Sequence, residues 1–158
     1  MRAVYINGRL VSPELLHTHC RGELKTSSQD TTTLATSGQW YKINGTYSDG
    51  HLSCFELDVG GTLTYTGAED VTLLFNGTSN LEADRVCTIT YGLFLNGELY
   101  GNASSPVSIL AANRSATNAI TSYIDVESGN EFEVHAKSDT ANTVLTPNAL
   151  SITMDGHF

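Results

Sequence analysis

The chain has 158 residues, 40% of them hydrophobic and only 16% charged, with a net charge of −9. That length is about one domain, able to bury roughly two-thirds of its unfolded surface without staples. The acidic balance argues against a nucleic-acid partner, and no stretch has the run of about eighteen apolar residues of a membrane span. Thr, Ser, Asn and Gly take the place of the missing charge, which suits strands and turns better than surface helices. The expectation is therefore an all-β chain.

Val4-Tyr5-Ile6 and Arg9-Leu10-Val11 flank Asn7-Gly8, the preferred pair for a type I′ turn, and read as a small hairpin. Eleven residues bury no core, so this hairpin needs something to dock on. The best helical candidate is Pro13 to Cys20, with Pro early and Leu15, Leu16 and His19 three and four apart. Residues 12 to 39 are otherwise irregular by pattern and include the Ser/Thr-rich tract Thr26 to Gly38. Residues 1–38 are accordingly read as an N-terminal arm and 39–158 as the β domain. Arg2, Arg9, Arg21 and Lys25 are half of the eight basic residues. An arm so charged suits an acidic neighbour, although plain solvation is the simpler account.

At Trp40 the pattern changes. Trp40 to Ile43 starts the domain, Ser53 to Asp58 is the next strand, and Gly60-Gly61 turns into Thr62 to Tyr65. Asp70 to Phe75 is a nearly continuous apolar run, read as a strand covered on both faces and closed by Asn76-Gly77. In Val86 to Leu95, residues Cys87, Ile89, Tyr91, Leu93 and Leu95 share one face. Asn96-Gly97 returns the chain into Glu98 to Tyr100. Val107 to Leu110 is a further strand with Pro106 at its entry, where a missing N–H does least harm. Ile120 to Lys137 is the most regular stretch. Ile120, Ile124 and Val126 share one face, as do Phe132, Val134 and Ala136, and Ser128-Gly129-Asn130 supplies the reversal. This reads as a hairpin. Leu150, Ile152 and Met154 mark a last strand. Eight to ten short strands with evenly placed turns fit a β-sandwich or a jelly roll, and the expectation carried forward is an antiparallel β-sandwich of jelly-roll topology, preceded by the short extended arm.

Chemistry is sparse. The five histidines, His17, His19, His51, His135 and His157, are scattered. There is no Gly-x-Ser-x-Gly elbow and no Gly-rich phosphate loop, so no catalytic residue is assigned and the chain is read as no enzyme. His17, His19 and Cys20 group three metal-ligand types, yet no second cluster follows, and neither a metal nor another cofactor is expected. Cys20, Cys54 and Cys87 are odd in number and widely spaced, so free buried thiols are expected. The opening residues lack the apolar core of a signal peptide, which together with free thiols points to cytoplasmic synthesis. The four Asn-x-Ser/Thr triplets at Asn44, Asn76, Asn102 and Asn113 are read as chance matches in so Asn-, Ser- and Thr-rich a chain. Trp40 and Tyr41, with the other tyrosines, suit either a sugar platform or a core or interface, and the second is favoured.

Four segments carry a family resemblance. Thr36-Ser37-Gly38-Gln39-Trp40-Tyr41-Lys42-Ile43-Asn44-Gly45-Thr46-Tyr47 resembles the first strand of trimeric jelly-roll domains in virion proteins of tailed bacteriophages. Gly61 to Gly67 resembles the segment that follows there. Ile89 to Gly97 resembles its strand ending in Asn-Gly, and Val126 to Val134 its late hairpin, with Asn130 where Asp is usual. The likeness spans about residues 36 to 155, and the fold it implies is similar to the C1q and tumour necrosis factor jelly rolls. It implies a homotrimer on the virion: a head decoration protein made in the bacterial cytoplasm, bound to the major capsid protein and stabilising the outer head surface. Arg2, Tyr5, Arg9 and Leu10 are then the capsid contacts. The competing implication is a tail-fibre module that recognises a cell-surface glycan through Trp40 and Tyr41.

Overall fold

The structure, a computed structural model, describes the backbone of residues 4–6, 9–11 and 19–157 and the side chains of residues 19–156. Every regular element among them is a strand. In order these are β1 (Val4–Ile6), β2 (Arg9–Val11), β3 (His19–Thr26), β4 (Thr32–Leu34), β5 (Tyr41–Lys42), β6 (Phe55–Leu57), β7 (Leu63–Tyr65), β8 (Val71–Ala83), β9 (Cys87–Leu95), β10 (Glu98–Ile109), β11 (Arg114–Val126), β12 (Glu131–Ser138) and β13 (Thr143–His157).

β1 and β2 pair antiparallel with Tyr5 opposite Leu10, as expected of the first hairpin, whose Asn7-Gly8 turn lies outside the described residues. The remaining strands form two antiparallel sheets. The first has the order β11-β8-β13-β3, with β4 also on β13. The second has the order β10-β9-β12-β7-β6, with β5 also on β12. Their facing sides make one core. Leu73, Phe75, Leu81, Ile120, Ile124, Ile152 and Met154 enter it from the first sheet, and Phe55, Leu63, Tyr65, Ile89, Tyr91, Leu93, Phe132 and Val134 from the second. Period-two alternation decides which residues these are, because one face of each strand is covered by the other sheet. The alternation read over 120–136 and 150–154 matches the buried set, whereas in 86–95 Cys87, Ile89, Tyr91 and Leu93 are buried, Leu95 is half-buried and Phe94, on the other face, is buried as well.

Several expectations are corrected. The stretch 120–137 is not a hydrogen-bonded hairpin: β11 pairs with β8 in the first sheet, and β12 pairs with β9, β7 and β5 in the second. The turn between them crosses from sheet to sheet. Asn130 Oδ1 accepts the Glu127 N–H (2.9 Å) and the Asn130 N–H donates to the Glu127 carbonyl (3.0 Å), which closes that corner. β8 does not stop at Asn76-Gly77 but runs on to Ala83, and its outward residues are not covered on both faces. Gly77 faces the core below the Tyr91 hydroxyl, which donates to the Gly77 carbonyl at 3.1 Å.

β10 is one strand rather than two, with an irregularity between Leu99 and Ser104 and with Pro106 inside it, tolerated on a sheet edge. Residues 12 to 39 are not all irregular: β3 pairs with β13 from His19–His157 to Thr26–Leu150, and β4 pairs with β13 as well. The jelly roll therefore begins by residue 19, with residues 19–34 part of the sandwich rather than an arm. Most of the helical candidate Pro13 to Cys20 lies outside the described residues, and its last two residues open β3. Cys20 and Cys54 are joined by a disulfide, leaving Cys87 as the free, buried thiol. A separation of 34 residues gives no spacing signal for such a bond.

Candidate functional site

The outward face of the second sheet carries a tight polar network. On β12 the residues facing away from the core are Glu133, His135 and Lys137, because Phe132, Val134 and Ala136 face in. β5 brings Lys42 opposite His135. Lys42 Nζ donates to Glu133 Oε1 (2.7 Å) and to the Thr62 hydroxyl (2.9 Å), and that hydroxyl donates to the same carboxylate oxygen (2.9 Å). His135 Nε2 lies 2.9 Å from Glu133 Oε2. Burial pushes the Glu133 carboxyl up, but hydrogen bonds from Lys42, His135 and Thr62 outweigh it and hold the pKa at about 2. A carboxylate so acidic is no proton acceptor at neutral pH. The network ties β5 and the β6–β7 turn to β12.

Trp40 and Tyr41, adjacent on an extended backbone, do not share a surface. Trp40 lies edge-on to Phe94 at 5.3 Å between ring centres, with Lys137 Nζ 4.8 Å from its own ring centre. Phe94 stacks on His135 at 4.0 Å. Tyr41 packs against the core, and its hydroxyl donates to Gln39 and accepts the Thr36 N–H. The indole needs a gap beneath it, which Gly92 provides: a Cβ there would sit 2.8 Å from Leu99 Cδ1 and 3.2 Å from Trp40 Cη2. Lys42, Thr62, Phe94, Glu133, His135 and Lys137 were not singled out from the sequence. The one signal was the polar, outward parity of 133, 135 and 137.

The other sequence candidates are dispersed. Arg2 and His17 lie outside the described residues, and Tyr5, Arg9 and Leu10 are placed by backbone alone, in the β1–β2 pair. His19 and Cys20 point to opposite faces of β3. His19 reaches Asp155 (2.7 Å), with His51 stacked beside it, whereas Cys20 is in the core and its sulfur is bonded to Cys54. Cys20 is thereby lost as a metal ligand. No group of three His, Cys, Asp or Glu side chains able to hold a metal occurs among the described residues.

The outward face of the first sheet differs in kind. Across its centre the outward residues are Leu74, Asn76, Thr78 and Asn80 on β8, Thr117, Ala119, Thr121 and Tyr123 on β11, and Ala149, Ser151 and Thr153 on β13. None is charged. Charge appears at the margins, in Asp125, in Glu82, and in the β3 row of Arg21, Glu23 and Lys25 with Asp155. Tyr123 is 72% exposed. A trough of about 650 Å³ crosses this face between Thr78, Thr117 and Ser151 and the 46–48 segment. The face is built of small, neutral, hydroxyl-rich side chains, with Tyr123 and Leu74 as its larger apolar contributions.

No protein-family model matches the chain, and no curated protein matches its sequence. Solved structures do. The chain is similar to the Eiger TNF from S. frugiperda, with a TM-score of 0.61 at 10% identity, covering 87% of this chain and 92% of that one. Weaker likenesses join 88% of the chain to 13% of dimeric latent PorU from Porphyromonas gingivalis (TM-score 0.46, 10% identity), and 84% to 27% of the Podospora anserina GH26-CBM35 β-(1,4)-mannanase (TM-score 0.32, 16% identity). The fold of this chain is a TNF-like, all-β jelly roll.

Proposed function

We propose that the protein is a non-enzymatic structural module that assembles as a homotrimer and decorates the head of a tailed bacteriophage, binding the major capsid protein and stabilising the shell. The observation that carries the reading is the uncharged outward face of the first sheet. In a chain of net charge −9, a broad face built from Thr, Ser, Asn and Ala, with an exposed Tyr123 on its outer strand β11, is unusually free of charge. Depletion of charge together with an exposed aromatic is the composition of interface cores. A TNF-like jelly roll is compatible with a trimeric structural or binding module. The capsid assignment rests on the family resemblance of residues 36–155. Three N-terminal segments per trimer, through Arg2, Tyr5, Arg9 and Leu10, make weak single contacts into a long-lived attachment. Neither nucleic acid, membrane nor cofactor enters this reading, and synthesis is in the bacterial cytoplasm.

Cosedimentation with expanded capsids that lack decoration tests it, using the full chain and a form without residues 1–17, which leaves β3 intact. The full chain is expected to bind and to raise the temperature at which the shells open, and the shortened form to do neither. Failure of the full chain to bind capsids, together with retention on a glycan array that is lost in Trp40→Ala, would replace this reading with glycan recognition.

A further inference from the structure

We infer that the Cys20–Cys54 bond is a redox-closed clamp that fastens residues 48–54 onto the outer edge of β3. This inference does not depend on the capsid reading. β3 ends the first sheet, so among the described residues one of its edges has no strand beside it. That edge is covered by a segment with little regular structure, held by two isolated bridges: Arg21 exchanges both backbone hydrogen bonds with Ser53, and Lys25 does so with Ser48. Between the bridges Asp49, Gly50 and His51 are exposed. The disulfide adjoins the Ser53 bridge, where the Ser53 hydroxyl also donates to the His19 carbonyl at 2.7 Å. Cys54 has a φ of 64°, a left-handed conformation that a non-glycine residue rarely keeps without external restraint. Beside the bond lies a cavity of about 320 Å³ walled by Tyr65, Ala68 and Val71, which gives the freed segment somewhere to shift.

The third cysteine takes no part. Cys87 is buried, and burial pushes its thiol up, away from the reactive thiolate. Closure is a two-electron step: the Cys20 and Cys54 thiols lose two protons and two electrons, and a small-molecule disulfide such as oxidised glutathione is reduced to two thiols. Exchange with such an agent enters at Cys54, which is partly exposed, rather than at Cys20, which is in the core.

Hydrogen exchange resolved to single amides, on the full chain before and after reduction, tests the clamp. Exchange at Arg21, Lys25, Ser48 and Ser53 is expected to rise by roughly ten-fold or more on reduction, while Ile89 and Ile152 in the central strands stay unchanged. Cys54→Ser should show the reduced pattern under oxidising conditions, with no hydroxyl added at the buried Cys20. Oxidised glutathione should restore slow exchange in the reduced wild type and not in the variant. Equal exchange at the four amides in both states, or reduced protein whose Cys20 and Cys54 stay open in oxidised glutathione, would overturn the inference.

Discussion

Glu133 shows how single side chains are spent in this molecule. Its folded pKa of about 2 lies below the unfolded value of about 4.5. Its contribution to stability is therefore complete above pH 4.5 and is lost as the pH falls toward 2. Glu133→Gln should lower the unfolding free energy by about 1–2 kcal/mol at neutral pH, after allowance for the partial exposure of the carboxylate. The gap between variant and wild type should close between pH 4.5 and 2, and urea titrations across that range measure it. An equal gap at pH 7 and pH 2 would contradict the network. Gly92→Val makes a second test, since its side chain would press on Leu99, Ser104 and the Trp40 indole. A loss of about 1–3 kcal/mol is expected, with a shift in tryptophan fluorescence because Trp40 is the one tryptophan in the chain.

At the scale of elements, what alternation could tell and what it could not are both visible around Asn130. The inward sets Ile120, Ile124, Val126 and Phe132, Val134, Ala136 were legible because parity is local. Which sheet each strand joins was not, because a sheet-to-sheet corner and a hairpin leave the same period-two pattern on either side. Asn130 holds that corner through its side-chain oxygen, a role an Asp carboxylate fills equally well. Asn130→Asp should therefore leave stability unchanged, and Asn130→Ala should lower it by about 1 kcal/mol, read from thermal or urea unfolding. β3 escaped notice for a different reason. Its inward residues are Cys20, Gly22, Leu24 and Thr26, a weak apolar signal, and Gly22 is there because a Cβ would lie 2.8 Å from Leu63 Cδ2 and 2.9 Å from Phe55 Cγ. Asn76-Gly77 misled in the opposite direction: the pair imitates a turn, while Gly77 makes room for Phe75 and Tyr91 within a continuous strand. Asn96-Gly97 is a true hairpin, with φ of 50° and 87° as a type I′ turn requires.

At the scale of the whole molecule, a β-sandwich or jelly roll was legible from strand count and turn spacing, the family resemblance implied the jelly roll, and the chemistry of its two outward faces was not legible. Nothing in the local pattern distinguishes a Thr that faces water from one that faces another subunit. Only the pairing of β8 with β11 and β13 gathers Leu74, Thr78, Thr121, Tyr123 and Ser151 onto one surface. The opposite sheet gathers Lys42, Glu133 and Lys137, and on the proposed reading that contrast sets the face that meets a like copy apart from the one that meets solvent. A charge on the first face should dissociate the proposed trimer without unfolding the chain, because Thr78 and Tyr123 are exposed and their replacement disturbs no core packing.

Light scattering on the purified full chain, beside Tyr123→Glu and Thr78→Lys, measures this most directly. The wild type should have three times the mass of one chain and both variants the mass of one, with unchanged β-sheet circular dichroism in all three. A wild type that stays a single chain at every concentration, or variants that assemble as fully as the wild type, would contradict the account.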